Sequence, residues 1–192
     1  MPSKALHTWN TSSRRALDEI VAAHAALVRA RRGRRYATRQ VNHAYVVLLA
    51  SQFQRFCRDL HTEAVGHLVA QIGSVSIATI VYGRMTGGRK LDVGNANPGN
   101  IGSDFGHLDL NLWASVRGRD SRNRVRQELL AELNAWRNAI AHQDFRHLGA
   151  GGAHHLRIDS VRRWRAACTA LAVDFDAVVR LHLLTVTGTT PW

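Results

Sequence analysis

Cysteine, proline and lysine are all scarce in this chain of 192 residues: two, three and two. Two cysteines cannot make a disulfide framework. Cys57 and Cys168 each lie inside a helical apolar pattern, so buried free thiols in a reducing compartment are expected. With so little proline, long stretches carry no helix breaker. No apolar run approaches the roughly 20 residues that a bilayer requires. The first twenty residues include Arg14 and Arg15 and no sustained apolar run, which argues against a signal peptide. A cytoplasmic protein with no membrane partner is the expectation. Acidic residues are also few: 14 Asp and Glu stand against 26 Lys and Arg, a formal charge of +12. Such a charge favours a polyanion partner through counterion release and steering; arginine-biased codon usage is the bland alternative. Lys4 and Lys90 are the only lysines, and guanidinium forks onto phosphate and stacks on bases better than ammonium does.

What the chain does have is helical periodicity. At this length one domain over residues 1–192 can bury a core without staples. Residues 1–11 read as a loose arm, and 188–192 as a frayed end unless Trp192 docks. Ser12 or Ser13 can cap a first helix whose inner face is Leu17, Ile20, Val21, His24, Leu27 and Val28 and which should end near Gly33. Arg29, Arg31, Arg32, Arg34 and Arg35 bracket the turn. Such charges are favourable near a helix C-terminus for local reasons, and as a cluster they are candidates for RNA contact. From Tyr36 to about Ile72 the pattern is helical again, with Tyr45, Leu49, Phe53, Phe56, Leu60 and Val65 in the stripe, and Gly66 a point of bending. Asn42, His43, His61 and His67 read as surface or core-edge residues. No Cys/His spacing in this span resembles a zinc site; no metal and no other cofactor is expected. Residues 74–82 are apolar and β-branched, but a lone strand would have nothing to pair with, so a short helix is expected.

Residues 87–106 are rich in Gly and Asn and contain Pro98. They read as a long loop, suited to a lid or a dimer contact, and their G-x-x-x-x-G spacings lack the Lys-Ser/Thr and the preceding strand of a P-loop. Leu108, Leu110, Leu112, Trp113 and Val116 come next as a short apolar turn. After a further helix, residues 147–155 form a glycine-rich turn. Asp159 or Ser160 then caps a last helix carrying Val161, Trp164, Ala167, Cys168, Leu171, Phe175, Val178, Val179 and Leu183. The expected fold is an all-α single-domain bundle of about four to six helices with one long Gly/Asn-rich loop. Arginines stand at three of the expected helix starts: Arg14 and Arg15; Arg122, Arg124 and Arg126; Arg162, Arg163 and Arg165. The dipole disfavours cations there by about 0.3–1 kcal/mol each, so either an anion or composition alone maintains them.

Residues 120–147 organise the rest. Val125, Leu129, Leu133, Trp136 and Ile140 recur at steps of four, four, three and four, the spacing of one apolar stripe on a helix. Asp120 or Ser121 can cap its start, and Gly149 with Gly151 and Gly152 marks the region where it should have ended. On a wheel of about 100° per residue, Asn138 and His142 fall opposite that stripe together with Arg124, Gln127 and Asn134, and Arg137 sits at the flank. A solvated surface is the ordinary reading of such a face. Two details oppose it. Asn and His, with two Ala between them, stand where Lys and Glu are usual, and Arg137 has no acid at i±3 or i±4.

Arg137-Asn138-Ala139-Ile140-Ala141-His142 resembles the signature of the HEPN superfamily, small helical bundles of which many are metal-independent ribonucleases. Residues 44–56, and residues 91–104 leading into Phe105-Gly106, resemble stand-alone HEPN proteins of the RiboL-PSP type, and the resemblance covers roughly residues 14–187. It implies a homodimer whose motif helices face each other across a cleft, and a toxin or antiphage defence effector, often held in check by an antitoxin or other inhibitor protein. In one branch a tyrosine two places after the histidine is modified by an antitoxin. Asp144 stands there in this chain, so that mode of control does not carry over.

The chemistry has its own logic. Cleavage by the 2′-hydroxyl needs one group to take a proton, another to give one, and positive charge on the phosphorane. One histidine performs only one transfer at a time; a two-fold dimer brings a second copy of the motif. The expectation is therefore an endoribonuclease cutting single-stranded RNA. Arg137 would stabilise phosphoryl charge, His142 would serve as base in one protomer and acid in the other, and Asn138 would orient His142 or bond the phosphate. Arg31, Arg32, Arg34, Arg35, Arg124, Arg126 and Arg146 are the RNA-binding candidates. The alternative is a non-catalytic helical module that binds RNA or a partner protein.

Overall fold

Proline and glycine are absent from residues 34–65 and 153–187, and those stretches supply the two longest helices of the computed structural model, which describes residues 1–29, 35–146, 148 and 156–192. They are α3 (Arg35–Val69) and α9 (Ile158–Thr187). On α3 the buried positions Tyr45, Val46, Leu49, Phe53, Phe56, Cys57, Leu60 and Ala64 make one wide apolar face. On α9 Val161, Trp164, Cys168, Leu171, Phe175, Val179 and Leu183 do the same. The two faces meet, with Phe53 and Phe175 rings 6.1 Å apart. Each such side chain contributes about 1.5–3 kcal/mol through removal from water. Cys57 and Cys168 are buried free thiols, and burial pushes both thiols up from the ordinary cysteine range.

The other elements in chain order are α1 (Lys4–Thr8), a π-helical turn (Trp9–Ser13), α2 (Arg14–Arg29), α4 (Val75–Thr86), α5 (Lys90–Val93), α6 (Pro98–Gly106), α7 (Leu112–Arg119) and α8 (Asn123–His142). The fold is all-α. No helix among the described residues is long and apolar enough to cross a membrane.

Several expectations need correction. Residues 1–11 are not a loose arm: Ser3 caps α1, Ala5, Leu6 and Trp9 are buried, and the Lys4 and Ala5 amides donate to the Glu63 carboxylate at 2.9 and 2.6 Å. A carboxylate on exposed N–H groups at a helix start satisfies donors that would otherwise be orphaned. The turn Trp9–Ser13 runs on into α2, so Arg14 and Arg15 do not stand at a helix start. Asn42, His43 and His61, expected at the surface or the core edge, are buried. Residues 87–106 are two short helices joined by a strap, not a loop, and the turn expected before α8 is α7. Trp192 packs against the core, and its carbonyl accepts from Arg180 Nε at 3.1 Å. Gly33 and, apart from Leu148, the glycine-rich turn at 147–155 lie outside the described residues.

Candidate active site

The motif sits on α8, which the core holds through Leu130, Leu133, Trp136 and Ile140. That stripe differs from the expected one at its N-terminal end: Val125 is 56% exposed and Leu129 only half-buried, while Leu130 is fully buried. The rotation carries Asn134 inward. Expected on the polar face, Asn134 is buried instead and donates from Nδ2 to the carbonyls of Ala96 at 3.0 Å and Leu130 at 2.8 Å.

The outward stripe of α8 reads Arg124, Glu128, Ala131, Ala135, Asn138 and His142, all exposed, at steps of four, three, four, three and four. Helix α8 stops at His142, seven positions before Gly149. It does so through a Schellman arrangement in which Gln143 takes left-handed backbone (φ 52°) and the Asp144 amide donates to the Ala139 carbonyl at 3.0 Å. Phe145 then lies against Trp136 and the buried His43, with ring centroids 6.3 and 5.8 Å away. Burial, and secondarily Arg39, holds the His43 imidazole below the ordinary histidine range. His142 is thus the last helical residue, fixed in backbone and open in side chain, and its imidazole makes no hydrogen bond among the described residues.

Arg137 is half-buried at the flank and donates from Nη1 to Asn138 Oδ1 at 3.1 Å. The same oxygen accepts from Asn95 Nδ2 at 3.0 Å. Asn95 belongs to the strap between α5 and α6, which packs tightly into place. Gln54 Nε2 on α3 donates to the Leu91 and Gly94 carbonyls, both at 2.7 Å. Asn100 Nδ2 donates to the Asn95 carbonyl at 2.7 Å, and Asn97 Nδ2 to Asn95 Oδ1 at 2.8 Å. Asn97 also caps α6 through its Oδ1, with Pro98 next in the first turn. At Gly94 a Cβ would stand 2.7 Å from Asn100 Nδ2. Asp104 accepts the Lys90 and Leu91 amides at 2.8 and 2.9 Å, capping α5 from α6. Buried Arg89 bonds Thr62 and Asp92, and His61 Nε2 bonds the Asp104 carbonyl at 3.1 Å. Burial first, then Arg89, lowers the His61 imidazole to about 4.

The arginine candidates divide. Arg124, 81% exposed in its side chain, stands 3.8 Å from Glu128. Arg126 is largely buried, with Nη1 on Asp120 at 2.9 Å, Asn123 at 2.7 Å and Asp174 at 3.3 Å. Hydrogen bonds from Arg122, and then from Arg126, hold the Asp120 carboxyl well below the usual carboxylate range. Asp120 therefore accompanies the start of α8 as expected, but as an acceptor for the Arg122 amide (3.0 Å) rather than as the cap residue. Arg146 is exposed and forks onto Asp144 at 2.9 and 2.7 Å. Eighteen helical positions put Arg124 about 27 Å along the axis from His142, too far to touch the same scissile bond. Arg31, Arg32, Arg34 and the side chain of Arg35 lie outside the described residues. No group of three or more His, Cys, Asp or Glu side chains among the described residues is placed to hold a metal ion.

The structure thus brings Arg137, Asn138 and a residue absent from the expected set, Asn95, onto one oxygen, with His142 one turn beyond. The Asn-Pro pair at 97–98 signals a helix cap in the sequence, but nothing there pairs Asn95 with a residue 43 positions away. In comparisons with protein-family models, curated proteins and solved structures, the chain matches none.

Proposed function

We propose that the protein is a metal-independent endoribonuclease of the HEPN type, cutting single-stranded RNA at a composite site where two copies of α8 meet, and acting as a toxin or antiphage effector under an inhibitor protein. The observation that carries this reading is the placement of Arg137, Asn138 and His142 together at the open end of the solvent-exposed stripe of α8. Ala135 and Ala141 flank Asn138 one turn to either side and are exposed. Small side chains there leave room for a second helix, and the four-three spacing is that of a helix–helix seam. A two-fold axis near Asn138 would set two arginines and two histidines around one phosphodiester. Arg137 stabilises the charge on the phosphorane, one His142 takes the 2′-hydroxyl proton, and the partner's His142 protonates the departing 5′-oxygen.

Purified protein is expected to cut single-stranded RNA in EDTA, leaving 2′,3′-cyclic phosphate ends and sparing DNA. His142→Ala should lower the rate by at least about a hundredfold. Retained cutting by that variant, or cutting by a strict monomer, would overturn the proposal. A second reading, a non-catalytic RNA-binding or protein-interaction module, is favoured by the lack, among the described residues, of a hydrogen bond orienting the His142 imidazole. Salt-dependent RNA binding without cleavage, indifferent to Arg137→Ala, is its signature.

A further inference from the structure

Asn138 Oδ1 stands where two donors from different elements converge: Arg137 Nη1 from α8 at 3.1 Å and Asn95 Nδ2 from the strap at 3.0 Å. An amide oxygen has two lone pairs and both are used. The Asn95 donor is arranged by structure that does not depend on Asn138. Asn97 Nδ2 donates to Asn95 Oδ1 and so fixes which end of that amide faces α8. Asn100 and Gln54 hold the strap backbone on either side, and Asn134 ties the adjoining Ala96 carbonyl to α8 one turn earlier. Arg137 spends one of its five N–H donors on Asn138.

A neutral amide oxygen is a weak occupant for such a position. An anionic oxygen turns the neutral Asn95 bond into a charge-assisted one, roughly twice as strong, and meets the Arg137 guanidinium as an ion pair. Asn138 is exposed, with solvent to turn into. From this geometry we infer that Asn138 Oδ1 holds the place of a phosphodiester oxygen, and that Asn95, with Arg137, forms the oxyanion site that takes it. RNA then displaces the Asn138 side chain, which becomes a gate on the site rather than a phosphate ligand. Asn97 is a positioning residue: its amide keeps the Asn95 N–H pair, not the oxygen, turned toward the incoming charge. The ligand class is a phosphodiester of single-stranded nucleic acid, and the inference rests on the nuclease reading only for the identity of that anion.

The test uses an oligoribonucleotide with every 2′-hydroxyl methylated, which binds but cannot be cut, measured by fluorescence anisotropy at one fixed salt concentration. Asn95→Ala should weaken binding about tenfold, the loss of one hydrogen bond to a charged group. Asn95→Asp, of the same shape, should weaken it further. Asn138→Ala should strengthen it about threefold by removing the competing oxygen. Asn97→Ser keeps a capping oxygen for α6 and removes the N–H that pins Asn95 without adding charge, so it should approach Asn95→Ala. Wild-type affinity in Asn95→Ala, or weakening in Asn138→Ala equal to that in Asn95→Ala, overturns the inference. Intact Asn95 and Asn138 effects in a protein that never cuts unmodified RNA would instead sink the nuclease reading and leave the oxyanion site standing.

Discussion

The two ends of α8 carry similar residues and put them to opposite use. At the start of the helix Arg122 and Arg126 meet Asp120 and Asp174, Asn123 is fully buried, and each of these four charges has a partner within 3.3 Å. At the last turns Arg137 faces an amide, His142 faces solvent, and no carboxylate is bonded to either among the described residues. One end is closed by carboxylates, and at the other, among the described residues, no carboxylate closes on Arg137 or His142. Net charge alone does not tell them apart, since both lie on a chain of +12. What separates them is whether the fold supplies the counter-charge. A part-buried ion network holds helices together, whereas the donors converging on Asn138 are the ones we propose to take an anion.

The widest expected gap between the two ends is in activity. His142→Ala should remove RNA cleavage, at least about a hundredfold in rate, while Arg126→Ala leaves cleavage per folded molecule near wild type. Equal losses in both variants would erase the contrast and make the whole helix a single binding surface.

The next effect concerns what keeps the open end in place. His61 lies against α6 and Arg89, with the Asp104 carbonyl and His107 nearby, and its imidazole is lowered to about 4. Its pKa in the unfolded chain is about 6.5. Between those values the unfolded chain binds the extra proton and the folded one does not, so stability rises with pH across the window. The contribution is complete above pH 6.5 and is lost as pH falls toward 4, about 3 kcal/mol in all. Urea denaturation at pH 7.5 and 4.5 should show this fall in the wild type and a much flatter profile in His61→Gln. Parallel profiles would mean that His61 is already charged in the folded protein.

Much of this arrangement is legible in the sequence. The wide stripes of α3 and α9 follow from spacing alone, as do Leu133, Trp136 and Ile140. Extending the α8 stripe backward by steps of four misplaces it, because each such step overshoots a helical turn by about 40°. Two steps from Leu133 carry the stripe about 80° off the core at Val125, and Leu130 takes the buried place. That same drift hides Asn134. For the strap and its flanking helices, the poor helix propensity of Gly and Asn predicts a loop, yet the caps from Asp104 and Asn97 and the buried Leu91 and Ile101 outweigh propensity. Of these, only the Asn97-Pro98 start is visible locally. Contacts such as Glu63 with α1 and Asn95 with Asn138 join distant stretches through side chains of one or two polar atoms, and no periodicity announces them.

A smaller effect sharpens the closed end. Arg126 sits 18% exposed among two carboxylates and an amide. Arg126→Ala leaves Asp120 with Arg122 and leaves Asp174 with Arg119, so the stranded charge is partly compensated. The expected loss is about 2 kcal/mol, below the range for breaking a fully buried pair, read as a lower urea midpoint with unchanged slope. A loss below about 0.5 kcal/mol would place this network among ordinary surface pairs.

The smallest effect lies at the residue that ends the helix. Gln143 adopts φ 52° while its Nε2 donates to the Ile140 carbonyl at 2.7 Å. Left-handed backbone costs a side chain with a Cβ about 1–2 kcal/mol, and a β-branched side chain tolerates it least. Gln143→Val should therefore cost about 1 kcal/mol in thermal or urea denaturation and unwind the final turn. Gln143→Gly relieves the strain but gives up the side-chain bond and adds freedom to the unfolded chain, so it should stay within about 0.5 kcal/mol of wild type. The pair separates stability from position. If the open end works because α8 stops at His142, Gln143→Val loses cleavage out of proportion to its stability and Gln143→Gly keeps it. If both cut RNA at the wild-type rate, the site tolerates a loose helix end, and the anchored strap alone sets its geometry.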